Sequence, residues 1–336
     1  MNVKQVVILG CVAVAAVAAT AFTLRVAPTS ISADRRGERV FPALLANVNE
    51  VASVTIRDNE RAFTVKRRDG GFFDKDSRYP AKAEAFRDLV SGATTLSFEE
   101  AKTQDPSRYG DLGLADPGQG DKSGREVTIR NAKGDTLAHF IVGNRDTTVG
   151  GARGGVYLRF PGQPQTWLAR GEARTPVPHT AWFEINLVNL GKDALARLEL
   201  RGGGLDDLTM AAPSKGADIA LEGAPEGRAP DTGKVMRLSF MVDPISFQDV
   251  RRPTKEPAPD ARRLIATTHS GLRVTIAAVD LAEGWTRISA EATTDEAKAQ
   301  LAELAPKIDG FEFKLSKNDA DMLSWGMKDV TSEPKT

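Results

Sequence analysis

Histidine is the residue type in this chain best suited to acid–base or metal chemistry, and its three copies lie far apart. His139 lies in an alternating run typical of a β-strand, His179 precedes a Trp-Phe pair, and His269 approaches a turn. A catalytic or metal centre needs several such groups at one point. The sequence contains neither a His-Glu-x-x-His zinc motif nor a Gly-x-Ser-x-Gly nucleophile motif. We therefore expect structural or exposed histidines.

Two pairs of adjacent acidic residues, Glu99-Glu100 and Asp206-Asp207, are the next candidates for chemistry. Glycoside hydrolysis uses two carboxylates that face one substrate, but neighbours on a strand point to opposite faces of the sheet. A calcium loop needs many spaced oxygen ligands, which the aspartate pair does not supply. We interpret the two glutamates as a solvated strand edge and the two aspartates as part of a turn.

Two glycine-rich segments resemble phosphate-binding loops, but their contexts favour other interpretations. Residues 118–124 have the wrong spacing for a P-loop, and residues 150–155 are not followed by a helix, so we expect a hairpin loop there rather than a phosphate-binding nest. We expect solvated side chains for three arginine pairs: Arg67-Arg68, Arg251-Arg252 and Arg262-Arg263. The sequence thus predicts no catalytic, cofactor-binding or metal-ligating residue, and a protein that is not an enzyme.

Composition restricts the classes of partner and fold. Lys and Arg total 45, as do Asp and Glu, so the formal net charge is zero. This balance argues against a nucleic-acid partner, which would favour a basic face. The single cysteine, Cys11, excludes an internal disulfide framework. A length of 336 residues with 41% hydrophobic residues predicts a folded protein of about two domains.

The N-terminal segment has the character of an export signal. Residues 5–24 contain no charged side chain, and a helix needs about 20 residues to cross the core of a bilayer. Three interpretations remain open: an uncleaved signal anchor, a signal peptide cleaved after Ala21, and a lipoprotein signal ending at Cys11. We favour a transmembrane signal anchor at residues 1–25 and a linker at residues 26–40, with the rest of the chain outside the cytoplasm.

Residues 52–101 and 196–250 share one pattern and predict an internal repeat. Each segment opens on an alternating, strand-like run and closes on a Ser-Phe pair followed by acidic or amide residues, so that Phe98 corresponds to Phe247. In the first segment a helical stripe of apolar residues lies between these strands, and such a helix should cover a small antiparallel sheet. The predicted fold is α+β, with repeated antiparallel-sheet-plus-helix modules behind one N-terminal transmembrane helix.

Two domains are predicted after the linker. Residues 41–190 form a first α+β module with added β-hairpins, and residues 191–336 form a second α+β module with a C-terminal extension of strands and helices. Within that extension, the runs at residues 272–279 and 285–290 alternate as strands do. We expect them to form a further sheet-like passage.

The order of several short motifs resembles that of the bacterial DUF4340 family, a domain of unknown function. The motifs are the Val54-Thr-Ile56 hairpin, the Tyr79-Pro80 helix entry, the Tyr-Gly…Leu-Gly-Leu…Pro passage at residues 109–117, Ile141-Val-Gly143, Val156-Tyr-Leu-Arg159 and Trp182. Members of that family typically carry one N-terminal membrane segment, and many are encoded beside ABC-transporter components of the gliding-motility type. The resemblance implies a transporter-associated envelope protein and supplies no catalytic residue.

We therefore expect a non-catalytic, membrane-anchored periplasmic accessory or scaffold protein of an envelope ABC-transport system, held in the bacterial inner membrane. Its expected partner is a multi-span permease or auxiliary subunit. One alternative is a periplasmic binding module for an envelope glycan or lipid, and a second is a hydrolase with a site assembled from scattered residues. A scaffold would expose an apolar patch, a glycan-binding module an aromatic groove, and a hydrolase converging acidic, His or Ser side chains.

Overall fold

A computed structural model describes residues 35–149, 154–191 and 194–333. The predicted anchor at residues 1–25 lies outside the described residues, as does most of the predicted linker. The same holds for residues 150–153, in the segment interpreted as a hairpin loop. None of the helices in the three described ranges combines the length and the apolar composition that a membrane crossing requires.

The described residues form α-helices and antiparallel β-strands. The α-helices are α1 (Pro42–Ala46), α2 (Ala83–Thr95), α3 (Thr232–Ser239), α4 (Asp295–Ile308) and α5 (Lys317–Leu323). The strands of the first half are β1 (Val51–Arg57), β2 (Ala62–Arg68), β3 (Gly71–Asp74), β4 (Ser97–Ala101), β5 (Arg125–Asn131), β6 (Thr136–Asp146), β7 (Gly155–Arg159), β8 (Thr166–Arg170) and β9 (Asn186–Val188). Those of the second half are β10 (Leu195–Arg201), β11 (Leu208–Ala211), β12 (Ala220–Glu222), β13 (Ala229–Pro230), β14 (Ile245–Ser246), β15 (Asp249–Arg251), β16 (Arg263–Thr268), β17 (Leu272–Asp280), β18 (Trp285–Ala292), β19 (Glu312–Lys314) and β20 (Thr331–Ser332). The predicted α+β class is confirmed.

Two eight-stranded sheets have the same strand order. The edge strands are β3 and β4 in the first sheet, and β12 and β15 in the second. The order β1-β5-β6-β7-β8-β4 in the first sheet corresponds to β10-β16-β17-β18-β19-β15 in the second. The predicted repeat is therefore confirmed by strand order. The repeat is also longer than predicted, because β17 and β18, expected to form a further passage, complete the second sheet.

A bulge recurs at the same place in both sheets. The pairing of β1 with β5 shifts register between Val51 and Ser53, and the pairing of β10 with β16 shifts between Leu195 and Arg197. A one-residue shift turns every following side chain to the other face of the sheet, so register is strongly constrained wherever one face is buried. The shared bulge therefore aligns the two repeats residue by residue, with Val51 equivalent to Leu195.

Phe98 and Phe247 occupy equivalent places, as the repeat predicts. The ring centroid of Phe98, on β4, lies 4.7 Å from that of Trp167 on β8. The ring centroid of Phe247, two residues before β15, lies 5.2 Å from that of Phe313 on β19. All four side chains are buried, and β8 and β19 are equivalent strands. Each repeat thus ends with a buried aromatic pair that packs at the last two strands of its sheet.

The chain divides into two compact units. The described residues up to Ala62, together with Arg87–Thr175, form the first unit. Within it α1 buries Leu44 completely, and the ring of Phe41, which precedes α1, lies 4.7 Å from that of Phe140 on β6. An apolar helix of only five residues is marginal alone, so this packing is what stabilises α1.

The second unit consists of Phe63–Phe86 and the described residues from Pro176 onward. The Tyr79 ring packs edge-on against several phenylalanine rings of this unit, with centroid distances of 4.9 Å to Phe311, 5.4 Å to Phe247 and 5.9 Å to Phe313. Edge-on aromatic pairs add about 0.5–1.5 kcal/mol each beyond the burial of their area. The residues around Tyr79 are thereby fixed within the second unit.

Candidate functional site

His139 lies in a ladder of charged side chains across three strands of the first unit. Its Nε2 is 2.7 Å from Oε1 of Glu126 on β5, and the same carboxylate accepts a hydrogen bond from Nε of Arg57 on β1 at 2.8 Å. Burial raises the pKa of Glu126, but the hydrogen bonds and charges of His139 and Arg57 outweigh it and hold that pKa below its usual range. Cross-strand pairs of this kind stabilise a sheet.

The other two histidines have different surroundings in the second unit. His179 begins the 3₁₀ helix His179–Trp182 and is buried. Its Nε2 lies 3.2 Å from Oδ1 of Asp249 on β15, which fixes the imidazole between two elements. His269 is exposed in the turn between β16 and β17. These are the settings of a structural and of a surface histidine.

The adjacent acids of β4 have different partners. The Glu99 side chain is 12% exposed, lies 2.9 Å from Nη2 of Arg170 and also pairs with Arg36. Burial raises the pKa of Glu99, but its hydrogen bonds to the two arginines outweigh it and lower that pKa. Glu100 is 58% exposed and pairs with Lys102 at 2.7 Å. The solvated-edge interpretation is correct for Glu100 and wrong for Glu99, since two guanidinium groups offset the cost of enclosing the carboxylate.

The aspartates predicted to lie in a turn occupy the connection between β10 and β11. Oδ2 of Asp207 accepts a hydrogen bond from Arg201 at 2.8 Å, and its Oδ1 accepts one from the backbone N–H of Gly202 at 3.3 Å. Across the described residues, no group of three or more His, Cys, Asp or Glu side chains is arranged to hold a metal ion. These contacts stabilise the loop between β10 and β11, so the role of Asp207 is structural.

Arg262, predicted to be solvated, is 2% exposed. Its guanidinium donates to the carbonyl oxygens of Leu323 at 2.9 Å, Gly202 at 3.0 Å and Asp206 at 3.2 Å, and also to that of Trp325. Burial lowers its pKa despite the acidic side chains nearby. The prediction is wrong because a pair of arginines in sequence does not reveal that backbone carbonyls converge on one of them. A guanidinium has five donors to satisfy them.

Glu312 on β19 is a fully buried carboxylate that sequence reasoning missed. It accepts hydrogen bonds from Nε of Arg251 at 2.9 Å, from the N–H of Thr254 at 2.9 Å and from Nη2 of Arg287 at 3.2 Å. Burial raises the pKa of Glu312, but these donors outweigh it and lower that pKa. Arg251, also predicted to be solvated, lies 3.8 Å over the ring of Trp285. The cluster ties β15, β18 and β19 together, so its role is structural.

A polar cavity of about 500 Å³ lies in the first unit around residues 100–112. Two of its charged side chains pair with each other, and a third binds a nearby serine. Lys102 pairs with Glu100 at 2.7 Å, and Asp105 accepts hydrogen bonds from the hydroxyl and the N–H of Ser107. These contacts are those of capped turns on an open surface. We assign no function to this cavity.

An apolar groove in the second unit is the candidate functional site. It lies between the edge strand β12 and helix α3 and encloses about 370 Å³. We call it the β12–α3 groove, and its lining is residues 217–221 with Pro230, Thr232, Val235, Met236 and Ser239. Ligand pockets of small molecules range from about 300 to 1,000 Å³, so the groove has the size of a small binding site.

The sequence of α3 explains why one side of the groove is apolar and open. Asp231 caps the helix by accepting a hydrogen bond from the N–H of Lys234 at 3.1 Å. Leu238 is completely buried beneath the helix, whereas Met236 is 54% exposed and Phe240, just after the helix, is 46% exposed. A large apolar side chain exposed in an apolar groove, here Met236, indicates an interaction surface.

The mostly apolar groove is suited to binding an apolar group. Its lining contains no His, Cys, Lys or Arg, and the Ser239 hydroxyl already donates to the carbonyl oxygen of Met236 at 2.7 Å. A nucleophilic serine needs a neighbouring base instead. Sequence reasoning missed the groove. One signal for it was available in the sequence. Met236 and Phe240 are large apolar residues that do not lie on the same helical face as the buried Val235 and Leu238.

Comparison with known proteins identifies one family. A family model described as "Domain of unknown function (DUF4340)" matches residues 72–264. The match begins in β3, ends in β16 and includes every residue that lines the β12–α3 groove. Neither a curated protein nor a solved structure matches the chain.

Proposed function

The chain belongs to the DUF4340 family, and from this premise we propose that it is a non-catalytic accessory protein that docks onto a membrane transporter. The observation that carries the proposal is the β12–α3 groove, whose apolar lining includes the exposed Met236, with the exposed Phe240 four residues further along the chain. Such a surface is costly to leave in water unless a partner covers it. Its lining offers no constellation of reactive groups.

The N-terminal sequence supports a membrane location for this docking protein. Residues 5–24 carry no charge, and a transmembrane anchor at residues 1–25 would hold the folded part at the periplasmic face of the bacterial inner membrane. Anchoring raises the effective concentration of the groove relative to other proteins in the same membrane. We propose a multi-span ABC-transporter permease or auxiliary subunit as the partner, in line with the transporter association that the family resemblance implies.

A binding module for an envelope lipid is the second candidate, and the apolar lining of the groove favours it. The lining residues are aliphatic, hydroxyl-bearing or acidic, and none is aromatic. A glycan site would stack sugar rings on aromatic side chains, so the same lining disfavours a glycan ligand. An acyl chain needs only apolar contact and a suitable volume.

Site-specific crosslinking in native membranes tests the proposal. A photo-crosslinking amino acid at position 236 should attach to a permease or auxiliary subunit of an ABC transporter, identified by mass spectrometry. The matched control is position 205, because Leu205 is also an exposed apolar residue of the second unit, 39% exposed, and lies outside the groove. Attachment only to lipid would favour the second candidate. Equal attachment at both positions would show that the groove has no specific partner.

A further inference from the structure

The first repeat shows what covers the outer edge of its edge strand. Residues 79–81, which precede α2, run antiparallel to β3. The N–H of Asp74 donates to the carbonyl oxygen of Tyr79 at 2.9 Å, and the N–H of Ala81 donates to that of Phe72 at 2.8 Å. Phe73 pairs with Pro80 between these two bonds. A short extended segment thus adds to the edge of β3.

The space between β3 and α2 is filled as well. The ring centroid of Phe72 lies 4.4 Å from that of Phe86 on α2, and both side chains are buried. In the first repeat, the space between the edge strand β3 and helix α2 is therefore covered in two ways. An added segment satisfies the strand edge, and aromatic side chains fill the apolar space.

The equivalent segment of the second repeat follows another path. Ala229–Pro230, shortly before α3, pair as β13 with β20. Nε of Arg228 donates to Oγ1 of Thr331 at 2.7 Å, and its Nη2 donates to the carbonyl oxygen of Thr331 at 2.6 Å. The N–H of Asp231 donates to the carbonyl oxygen of Val330 at 2.8 Å. These contacts commit the segment to β20 instead of β12.

The corner left open by this path is the β12–α3 groove. Among the described strands, β12 pairs only with β11 and ends its sheet. Ala220 and Leu221 of β12 line the groove with Val235 and Met236 of α3, and both Ala220 and Glu222 are exposed. The free edge of a strand offers backbone N–H and C=O groups to an added strand, and an apolar helix beside it offers a surface on which the side chains of that strand can pack.

We propose that the β12–α3 groove binds an extended segment of a partner protein, which adds to β12 as an antiparallel strand. The first repeat supplies the template, because its own residues 79–81 add to the equivalent strand in that direction. The proposal rests on the proposed docking function and specifies its chemistry. Main-chain hydrogen bonds to β12 provide affinity, and the groove selects the side chains.

The length of β12 and the period of a strand define the class of segment. Three residues of strand span about 10 Å, so about two side chains of the partner, at positions i and i+2, point into the groove. The lining around Leu221 and Val235 is apolar, so these two side chains should be apolar. Residues between them face solvent and can be polar. Proline is excluded where the partner must donate an N–H to β12.

Hydrogen exchange on the full chain in lipid nanodiscs tests strand addition directly. The probe is the synthetic peptide Lys-Val-Thr-Val-Thr-Val-Lys, and its matched control is Lys-Val-Pro-Val-Pro-Val-Lys, which keeps the valines and loses the alternate N–H groups. The first peptide should slow exchange in residues 219–222 by about tenfold or more at saturation. The control peptide should not. No slowing with the first peptide, or equal slowing with both, overturns strand addition.

Two variants show whether the groove itself is occupied. Ala217 lines the groove and Ala282 lies in the exposed turn after β17. Ala217→Trp should fill the groove and weaken peptide binding by about tenfold, whereas Ala282→Trp should leave it unchanged. If monomeric dodecylphosphocholine occupies the groove and the peptide does not, the occupant is an acyl chain and the proposal is wrong.

The outcomes separate this inference from the proposed function. Crosslinking of position 236 to a transporter subunit, without peptide-induced protection of β12, would leave the docking function standing and refute strand addition. Protection of β12 by the peptide, without a transporter subunit attached at position 236, would support strand addition and refute the transporter as the partner.

Discussion

At the scale of single residues, Glu312 provides a sharp test of stability. Glu312→Gln leaves Arg251 and Arg287 beside a neutral amide at a fully buried position. Because a charge that loses its buried partner is costly, we expect the free energy of unfolding to fall by about 3 kcal/mol, measured by urea denaturation. The matched control is Glu291→Gln on the exposed part of β18, with an expected change below about 0.5 kcal/mol. Equal losses in both variants would contradict a stabilising cluster.

The same carboxylate should make stability depend on pH. Its donors hold the pKa of Glu312 below the ordinary value of 4.5. Its stabilisation is therefore complete above the pKa of the unfolded chain and is lost as the pH falls through the lower folded pKa. We expect the difference in unfolding free energy between wild type and Glu312→Gln to be constant from about pH 6 to 8 and to shrink below about pH 4.5. A difference that grows on acidification would show the opposite shift.

The alternation of apolar and polar residues predicts which side chains are exposed only where no other element of the fold covers the polar face. The alternating run at residues 311–315 assigns Glu312 to the polar face of a strand. That face is covered because β15 and β18 bring Arg251 and Arg287 to it. Nothing in the local sequence encodes these partners. The buried Arg262 was missed for the same reason, since its acceptors are backbone carbonyls from other elements.

At the scale of elements, substitutions on the exposed side of helix α3 should weaken partner binding without lowering the stability of the fold. Met236→Ser combined with Phe240→Ser removes exposed apolar surface and leaves the buried Leu238 in place. We expect co-purification with the transporter subunit to fall by about tenfold, while the free energy of unfolding changes by less than about 0.5 kcal/mol. The control Leu205→Ser should change neither quantity. Undiminished co-purification with the double variant would exclude this side of the groove from docking.

The equivalence of the two repeats predicts equal costs for equivalent aromatic residues. Phe98→Ala and Phe247→Ala each remove a buried ring from the pair that ends a sheet. We expect each to lower the free energy of unfolding by about 3–5 kcal/mol in chemical denaturation. Phe240→Ala, at a largely exposed position, is the control and should cost much less. A large loss in only one repeat would mean that the two rings have different roles.

The repeat was recognisable from sequence where its strands keep alternating apolar residues and a shared Ser-Phe ending. Residues 272–279 and 285–290 could be predicted as strands, because their alternation is local. Their place in the second sheet could not be predicted, since β17 and β18 find their positions through pairing with β16 and β19. The groove was hidden because β12 has only three residues, too few for a periodic pattern.

At the scale of the whole molecule, the N-terminal segment should determine where the protein is found. The uncharged residues 5–24 predict fractionation with membranes that resists high salt, because apolar burial in a bilayer is insensitive to ionic screening. A chain lacking residues 1–25, exported by a cleavable signal, should be recovered in the soluble periplasmic fraction. Recovery of the natural chain there, beginning near Phe22, would instead show that the signal is cleaved.

The pairing of β13 with β20 gives the C-terminal end of the chain a regulatory consequence. If the contacts of residues 228–231 with β20 and Val330 are broken, the segment before α3 can pair with β12 instead, as residues 79–81 pair with β3. Removing the Arg228 side chain takes away its two hydrogen bonds to Thr331 and so weakens this attachment. The segment before α3 would then compete with the partner's segment for β12, and the protein would be autoinhibited. We expect Arg228→Ala to slow hydrogen exchange in β12 without any peptide and to weaken peptide binding several-fold. Arg273→Ala, at an exposed position of β17, should do neither. A partner that binds β20 in place of residues 228–231 would thus close the groove from a distance.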